Sequence, residues 1–455
     1  MRIGPSEMSA RAAAGGGPRA DLHHRVGKAG LAAHGAGKSE GKSMSLRSRR
    51  AAVAALAVMM ALPGCTSRSP SGPQEFFDRA VVPEGEAMLS DAVMAFFVGP
   101  QNSEMYPVTG EVHEPGYLVL VNAQGAFRAV RTKRMDMMAP VWSDHGLYFA
   151  DEGSDYHLTA SGLTKAGNPK ATAQNLMFAL PDGGAVGIYN GGHGADGGYA
   201  NQVSATTGGD ARRYDVQGNY FTGALCDDHV FGLTDNPGTH AAEAPDRPGM
   251  KSTKDLTASP QMLARLYPAD GGEKVVAWRP HFGGGTPIGQ VPCHDGVITF
   301  LSWDTDADGR EQAKIVSWDT ATGEHRAHPL TFDDGTQLNL DDFGYIVQDW
   351  RDGRLHWVYA DGRVFSTDSA TGKTTTRFDT GLETGVGRPT QTLFAFSDTR
   401  LHALSTSPGA DGDITYTVFN RARGGVVRKV SVPIPNTGIN VTYLNLTRMT
   451  VRPTT

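Results

Sequence analysis

The chain has 455 residues, with 57 Gly, 26 Pro and 20% charged residues. This composition fits a loop-rich protein rather than a helical bundle and is long enough for one large domain or two to three ordinary ones. Residues 1–64 hold 10 of the 42 basic residues and 3 of the 48 acidic ones, which leaves 32 basic and 45 acidic residues, a net of −13, from Cys65 to Thr455. An acidic body repels phosphate, so nucleic acid is not an expected partner.

Residues 1–43 are rich in Gly, Ala, His and basic residues and lack apolar periodicity. They read as a disordered stretch upstream of the true start. Ala32 to Ser39 (AAHGAGKS) and Ala36 to Ser43 (AGKSEGKS) fit a relaxed phosphate-loop pattern. Neither has the preceding buried strand and following helix that aim backbone N–H groups at phosphate, so no nucleotide site is expected.

From Met44 the chain runs through Arg47, Arg49 and Arg50 into AAVAALAVMMAL and then Pro63-Gly64-Cys65. A basic stretch, a twelve-residue apolar run and small residues at a cleavage point make a signal peptide over 44–64. The apolar run is too short to span a bilayer. Leu62-Pro63-Gly64-Cys65 resembles the lipobox of bacterial lipoproteins. The resemblance implies diacylglycerol on the Cys65 thiol, a lipid bilayer as partner and an extracytoplasmic address. Ser48-Arg49-Arg50 also resembles a twin-arginine export signal. Residues 65–80, opening with the Pro/Ser/Gly run TSRSPSGP, read as a flexible tether to a domain at 81–455.

Within that domain one pattern recurs: a bulky apolar residue or Cys, any residue, Asp, a turn residue, then a β-rich run. The copies are Leu89-Ser-Asp91, Trp142-Ser-Asp144, Leu180-Pro-Asp182, Cys226-Asp-Asp228, Cys293-His-Asp295, Trp350-Arg-Asp352 and Phe396-Ser-Asp398. The Asp spacings of 53, 38, 46, 67, 57 and 46 are mostly those of propeller blades. A strand, a Gly-containing turn and another strand follow in each interval. The clearest examples are Ile315-VSWDTATGEHRAHPL and Val364-FSTDSATGKTTTRF. These repeats predict an all-β fold, a seven-bladed β-propeller of four-stranded antiparallel blades. Little chain precedes the first copy, whereas Asn440-VTYLNLTRMTV is spare after the seventh. The C-terminal strand is therefore expected to close the ring by completing blade one.

Asp319-Thr-Ala-Thr-Gly323 and Asp368-Ser-Ala-Thr-Gly372 resemble the Asp-x-x-Thr-Gly turns of PQQ-like and WD40-like propeller repeats. The tryptophan that quinoprotein blades place soon after this Gly is absent after Gly323 and Gly372, so the resemblance implies fold and no quinone cofactor.

Four groups of residues invite a chemical reading. Cys226 and Cys293 share one repeat column in adjacent blades, which suits either a disulfide in an exported chain or two buried thiols. The seven column aspartates suit turn-fixing carboxylates that accept backbone N–H bonds. Asp304-Thr-Asp306-Ala-Asp308-Gly309 has the spacing of a calcium loop but lacks a closing carboxylate at Ile315, so an acidic hairpin is the other reading. Gly191-GHGADGG198 places His193 and Asp196 at the tip of a loop able to cover a ligand. The domain at 81–455 holds no HExxH, GxSxG or paired CxxC motif. The function expected is a binding or scaffold module for an unidentified protein or small molecule. The alternative is a propeller hydrolase or lyase with its site at the mouth of the central channel.

Overall fold

Seven sheets stand around one axis, and six of them take four antiparallel strands in chain order, two of these with a short parallel segment added at one edge. The computed structural model describes residues 73–453 except 100–114, 134–139, 152, 167–173, 195–196, 208–209, 245–258, 270–271, 282–284, 306–309, 341–342, 344–345, 384–391, 407–412 and 436–444. Blades two to seven use residues 141–166, 174–217, 222–281, 293–329, 347–379 and 392–435. Blade one is composite. Ala92–Gly99, Gly116–Asn122 and Phe127–Thr132 are its outer three strands, and Asn445–Val451 is its innermost. Met94 pairs with Val451 and Phe96 with Met449, so the C-terminal strand closes the ring as the repeat spacing predicts.

Each blade is apolar on both faces because successive side chains of a strand point to opposite sides. In Arg354–Val358, Leu355 and Trp357 pack toward blade five while Val358 packs toward blade seven. In Ala92–Gly99, Phe96 and Val98 face blade seven while Ala95 and Phe97 face blade two. The core is accordingly divided among the interfaces between consecutive blades. The cluster of Met94, Phe96, Tyr416, Val432 and Met449 lies at the seam between blades seven and one.

Two short parallel segments are absent from the repeat pattern. Gly289–Gln290 pairs with Thr222 and Gly223 on the channel side of blade four. Thr331–Phe332 pairs with Lys373 and Thr374 on the rim of blade six. Gln290 also donates from Nε2 to the Met177 carbonyl of blade three, so this crossover ties three blades together near the axis.

The composition assigns all of 65–80 to a tether, and the structure corrects its second half. Pro73–Ala80 is an α-helix, while 65–72 lie outside the described residues. Eight residues cannot hold a helix alone in water. Phe77 is fully buried and stacks on Tyr117 at 5.2 Å, Phe76 stacks on Phe127 at 5.9 Å, and Tyr117 Oη donates to Asp78 at 2.9 Å. Two adjacent aromatics make no periodic stripe, so the docking was not legible in the sequence. The signal peptide, Cys65 and residues 1–43 also lie outside the described residues.

Candidate binding face

The topology separates two kinds of connection. Turns between first and second strands and between third and fourth strands lie on one face. Links between second and third strands, and those between blades, lie on the other.

The turn face is built for packing. Asp295-Gly296 and Asp352-Gly353 have φ of 50° and 74°, and 51° and 73°, the paired left-handed conformation of a tight hairpin turn. Among the column aspartates, Asp182 accepts the Gly184 N–H as expected, and Asp91 instead binds the side chains of Asn122 and Arg128. In the two Asp-x-x-Thr-Gly turns the aspartate caps the chain. Ala321 and Thr322 N–H donate to Asp319 Oδ1, and Ala370 and Thr371 N–H donate to Asp368 Oδ1. Bonds from the Thr322 and Thr371 groups lead the effects that hold both carboxyls below their ordinary range. The closing glycine nests against the preceding blade. A Cβ on Gly372 would lie 2.0 Å from the Pro329 carbonyl oxygen, and one on Gly125 would lie 2.3 Å from that of Ser431. Beside the end of the C-terminal strand a cleft of about 150 Å³ is lined by Leu89, Trp142, Asp144, His145, Thr159 and Arg452.

The loop face holds the sequence's ligand candidates. His193 ends the strand Ala185–His193 exposed, with Tyr199 edge-on at 4.9 Å, and Asp196 lies outside the described residues. Asp304 lies within the strand Val297–Thr305, where Lys314 of the paired strand binds its carboxylate; Asp306 and Asp308 lie outside the described residues. Cys226 and Cys293 form a disulfide between blades four and five, with Cα atoms 5.3 Å apart.

Three polar networks escaped the sequence reading. Arg279, 4% exposed, lies between blades four and five, with Nε donating to Gln261 at 2.6 Å and Nη1 2.9 Å from His325 Nε2. Burial, then the neighbouring Arg279 charge, lowers the His325 pKa to about 3, so the imidazole is neutral. Arg279 follows Ala277 at the alternating positions that face blade five, but a charged residue there reads from sequence as a solvent-facing one.

Between blades six and seven, buried Arg421 donates to Asp349 at 2.6 Å and to the Ser397 carbonyl at 3.1 Å. Ser397 Oγ is 3.0 Å from His402 Nε2, and His402 Nδ1 is 2.7 Å from Tyr416 Oη. The Ser–His spacing is that of a hydroxyl and its base. Both side chains are buried in the blade, however, and the network clamps the turn at 397–400.

The third network pins the start of the link between the second and third strands of blade four. His240, in the 3-10 helix Gly238–Glu243, lies 2.5 Å from Glu273 and 3.0 Å from Glu243. Burial alone lowers its pKa, but hydrogen bonds to Glu273 and Glu243 outweigh burial, and the net shift is upward.

No family model and no curated protein matches the chain. Solved structures of similar arrangement include BamB from Moraxella catarrhalis, 13% identical over 68% of this chain and 77% of that one, with a TM-score of 0.35. Apo AztD from Citrobacter koseri is 11% identical over 79% and 98%, with a TM-score of 0.36. A mutant of Synechocystis apocarotenoid oxygenase is 9% identical over 80% and 97%, with a TM-score of 0.43. At these values the likeness concerns fold alone.

Proposed function

We propose that the chain is an exported, lipid-anchored lipoprotein whose β-propeller binds a protein or small molecule through its loop face. The observation that carries the binding reading is the segregation of connections. Tight turns occupied with blade packing lie on one face, and the longer loops lie on the other. A rigid scaffold presenting variable loops is how binding sites are commonly built. The order of basic stretch, apolar run and Leu-Pro-Gly-Cys supports the anchor. A diacylglyceryl group brings two acyl chains, enough for stable anchoring where a single chain binds only weakly and reversibly.

The two faces can be compared directly in cells. A photo-crosslinking amino acid at His193 on the loop face is expected to capture a discrete adduct, and one at Asp352 on the turn face is not. Equal capture from both positions, or capture from Asp352 alone, would contradict the reading.

A further inference from the structure

Four large hydrophobic side chains are exposed among the described residues, namely Met88, Ile288, Val426 and Val427. The last two are neighbours at 58% and 51% exposure, at the start of Val426–Pro435, the outermost strand of blade seven. Arg428 and Lys429 follow them, exposed, and Arg423 lies in the adjoining turn. None of these three cations forms an ion pair with a described carboxylate, although the body around them carries a net charge of −13. Charge and proline on an edge strand guard against pairing with other chains, which accounts for Arg428, Lys429, Pro433 and Pro435. It does not account for two exposed valines beside the charges.

A turn of blade one connects this strand to the N-terminal helix. Arg428 Nη1 donates to the Ala123 carbonyl of blade one at 3.4 Å, and Gly125 of the same turn packs against Ser431. The turn leads into Phe127, on which Phe76 of the helix Pro73–Ala80 stacks. Seven residues lie between Cys65 and Pro73, and the eight steps from one to the other reach at most about 28 Å. An acyl group on Cys65 therefore keeps the helix, and the rim beside it, close to the bilayer.

We infer that the outer edge of blade seven docks on an anionic lipid surface, with Val426 and Val427 entering the headgroup region and Arg428 and Lys429 meeting lipid phosphates. The orientation rests on the lipid-anchored reading, but the contact can be measured without the acyl chain. Each cation near an anionic leaflet contributes on the order of a five-fold gain in partitioning, and apolar burial adds to it.

The test uses the compact unit Ser67–Thr455, which carries the closed ring and no lipid. It is expected to sediment with vesicles containing phosphatidylglycerol at low ionic strength, to be released by about 0.5 M salt, and to ignore phosphatidylcholine vesicles. Arg428→Glu with Lys429→Glu, and separately Val426→Ser with Val427→Ser, should each lower partitioning about ten-fold or more while leaving the melting temperature unchanged. Partitioning that is absent, or equal in wild type and both variants, would overturn the inference. So would a dimer lost on charge reversal in a protein that ignores vesicles, because the edge would then serve a second copy. Failure of Cys65 acylation is read separately, by fatty-acid labelling of the full chain.

Discussion

Met94, in the first strand of the ring, is held in antiparallel register against Val451, in the last. The contact joins the two ends of the domain, and both side chains belong to the cluster that seals blade seven to blade one. Deleting Asn440 to Thr455 removes the inner strand of blade one and uncovers that cluster. Loss of Met449 and Val451 burial together with the strand ladder is expected to cost more than about 5 kcal/mol. The truncated protein should aggregate or melt far below the intact one, whereas deletion of Arg68 to Ser71 should leave the melting curve in place. Coincident melting of truncated and intact protein would contradict ring closure.

The glycines of the turn face allow a controlled pair of substitutions. Gly372 and Gly353 share nearly the same left-handed backbone, with φ of 74° and 73°. Only Gly372 has a neighbour in the way, since nothing lies within 4 Å of a Cβ on Gly353. Gly353→Ala should cost about 1 kcal/mol from backbone strain alone, and Gly372→Ala roughly 3 kcal/mol or more. Urea denaturation of the two variants reads the difference, and equal losses would show that the turn does not press on blade five.

The disulfide joins residues 67 apart in sequence and ties two inner strands together. Mass spectrometry of unreduced protein recovered from the cell envelope should find a peptide linking Cys226 to Cys293. Cys226→Ser with Cys293→Ser should lower stability by about 2–4 kcal/mol. Ready alkylation of both thiols before reduction would refute the bond.

His240 gives a pH signature with a defined sign. Its folded pKa is raised above the ordinary 6.5, so its contribution is fully present below that value. The contribution is then lost as pH rises through the folded pKa. The stability difference between wild type and His240→Gln should therefore be largest in mild acid and shrink toward alkaline pH. A difference that grows with pH would mean that the two glutamates do not hold a charged imidazole.

The legible parts of this fold are those written in local chemistry. Asp319 with Gly323, and Asp368 with Gly372, mark their turns because the carboxylate caps nearby N–H groups and the glycine accepts a left-handed backbone. The shared column of Cys226 and Cys293 is visible because a repeat places equal positions side by side. What stayed hidden depends on distant approach. The pairing of Gly289–Gln290 with blade four exists only because the crossover passes that edge. Arg279 and Arg421 sit in strand or turn patterns where a charge reads as solvent-facing, and only the next blade makes those positions interior. Asp304 shows the same limit: the sequence presents it as the first ligand of a loop, and the structure pairs it with Lys314 on the neighbouring strand.

Lipid anchoring of the propeller stands or falls with Cys65. Expressed from Met44 in a bacterium and recovered from the membrane fraction, the mature protein should begin at Cys65. Its first peptide should carry the mass of a diacylglyceryl group by mass spectrometry. Cys65→Ala should abolish both that adduct and the incorporation of labelled fatty acid. A mature N-terminus elsewhere with an unmodified Cys65, or labelling that survives Cys65→Ala, would contradict the lipid-anchored reading.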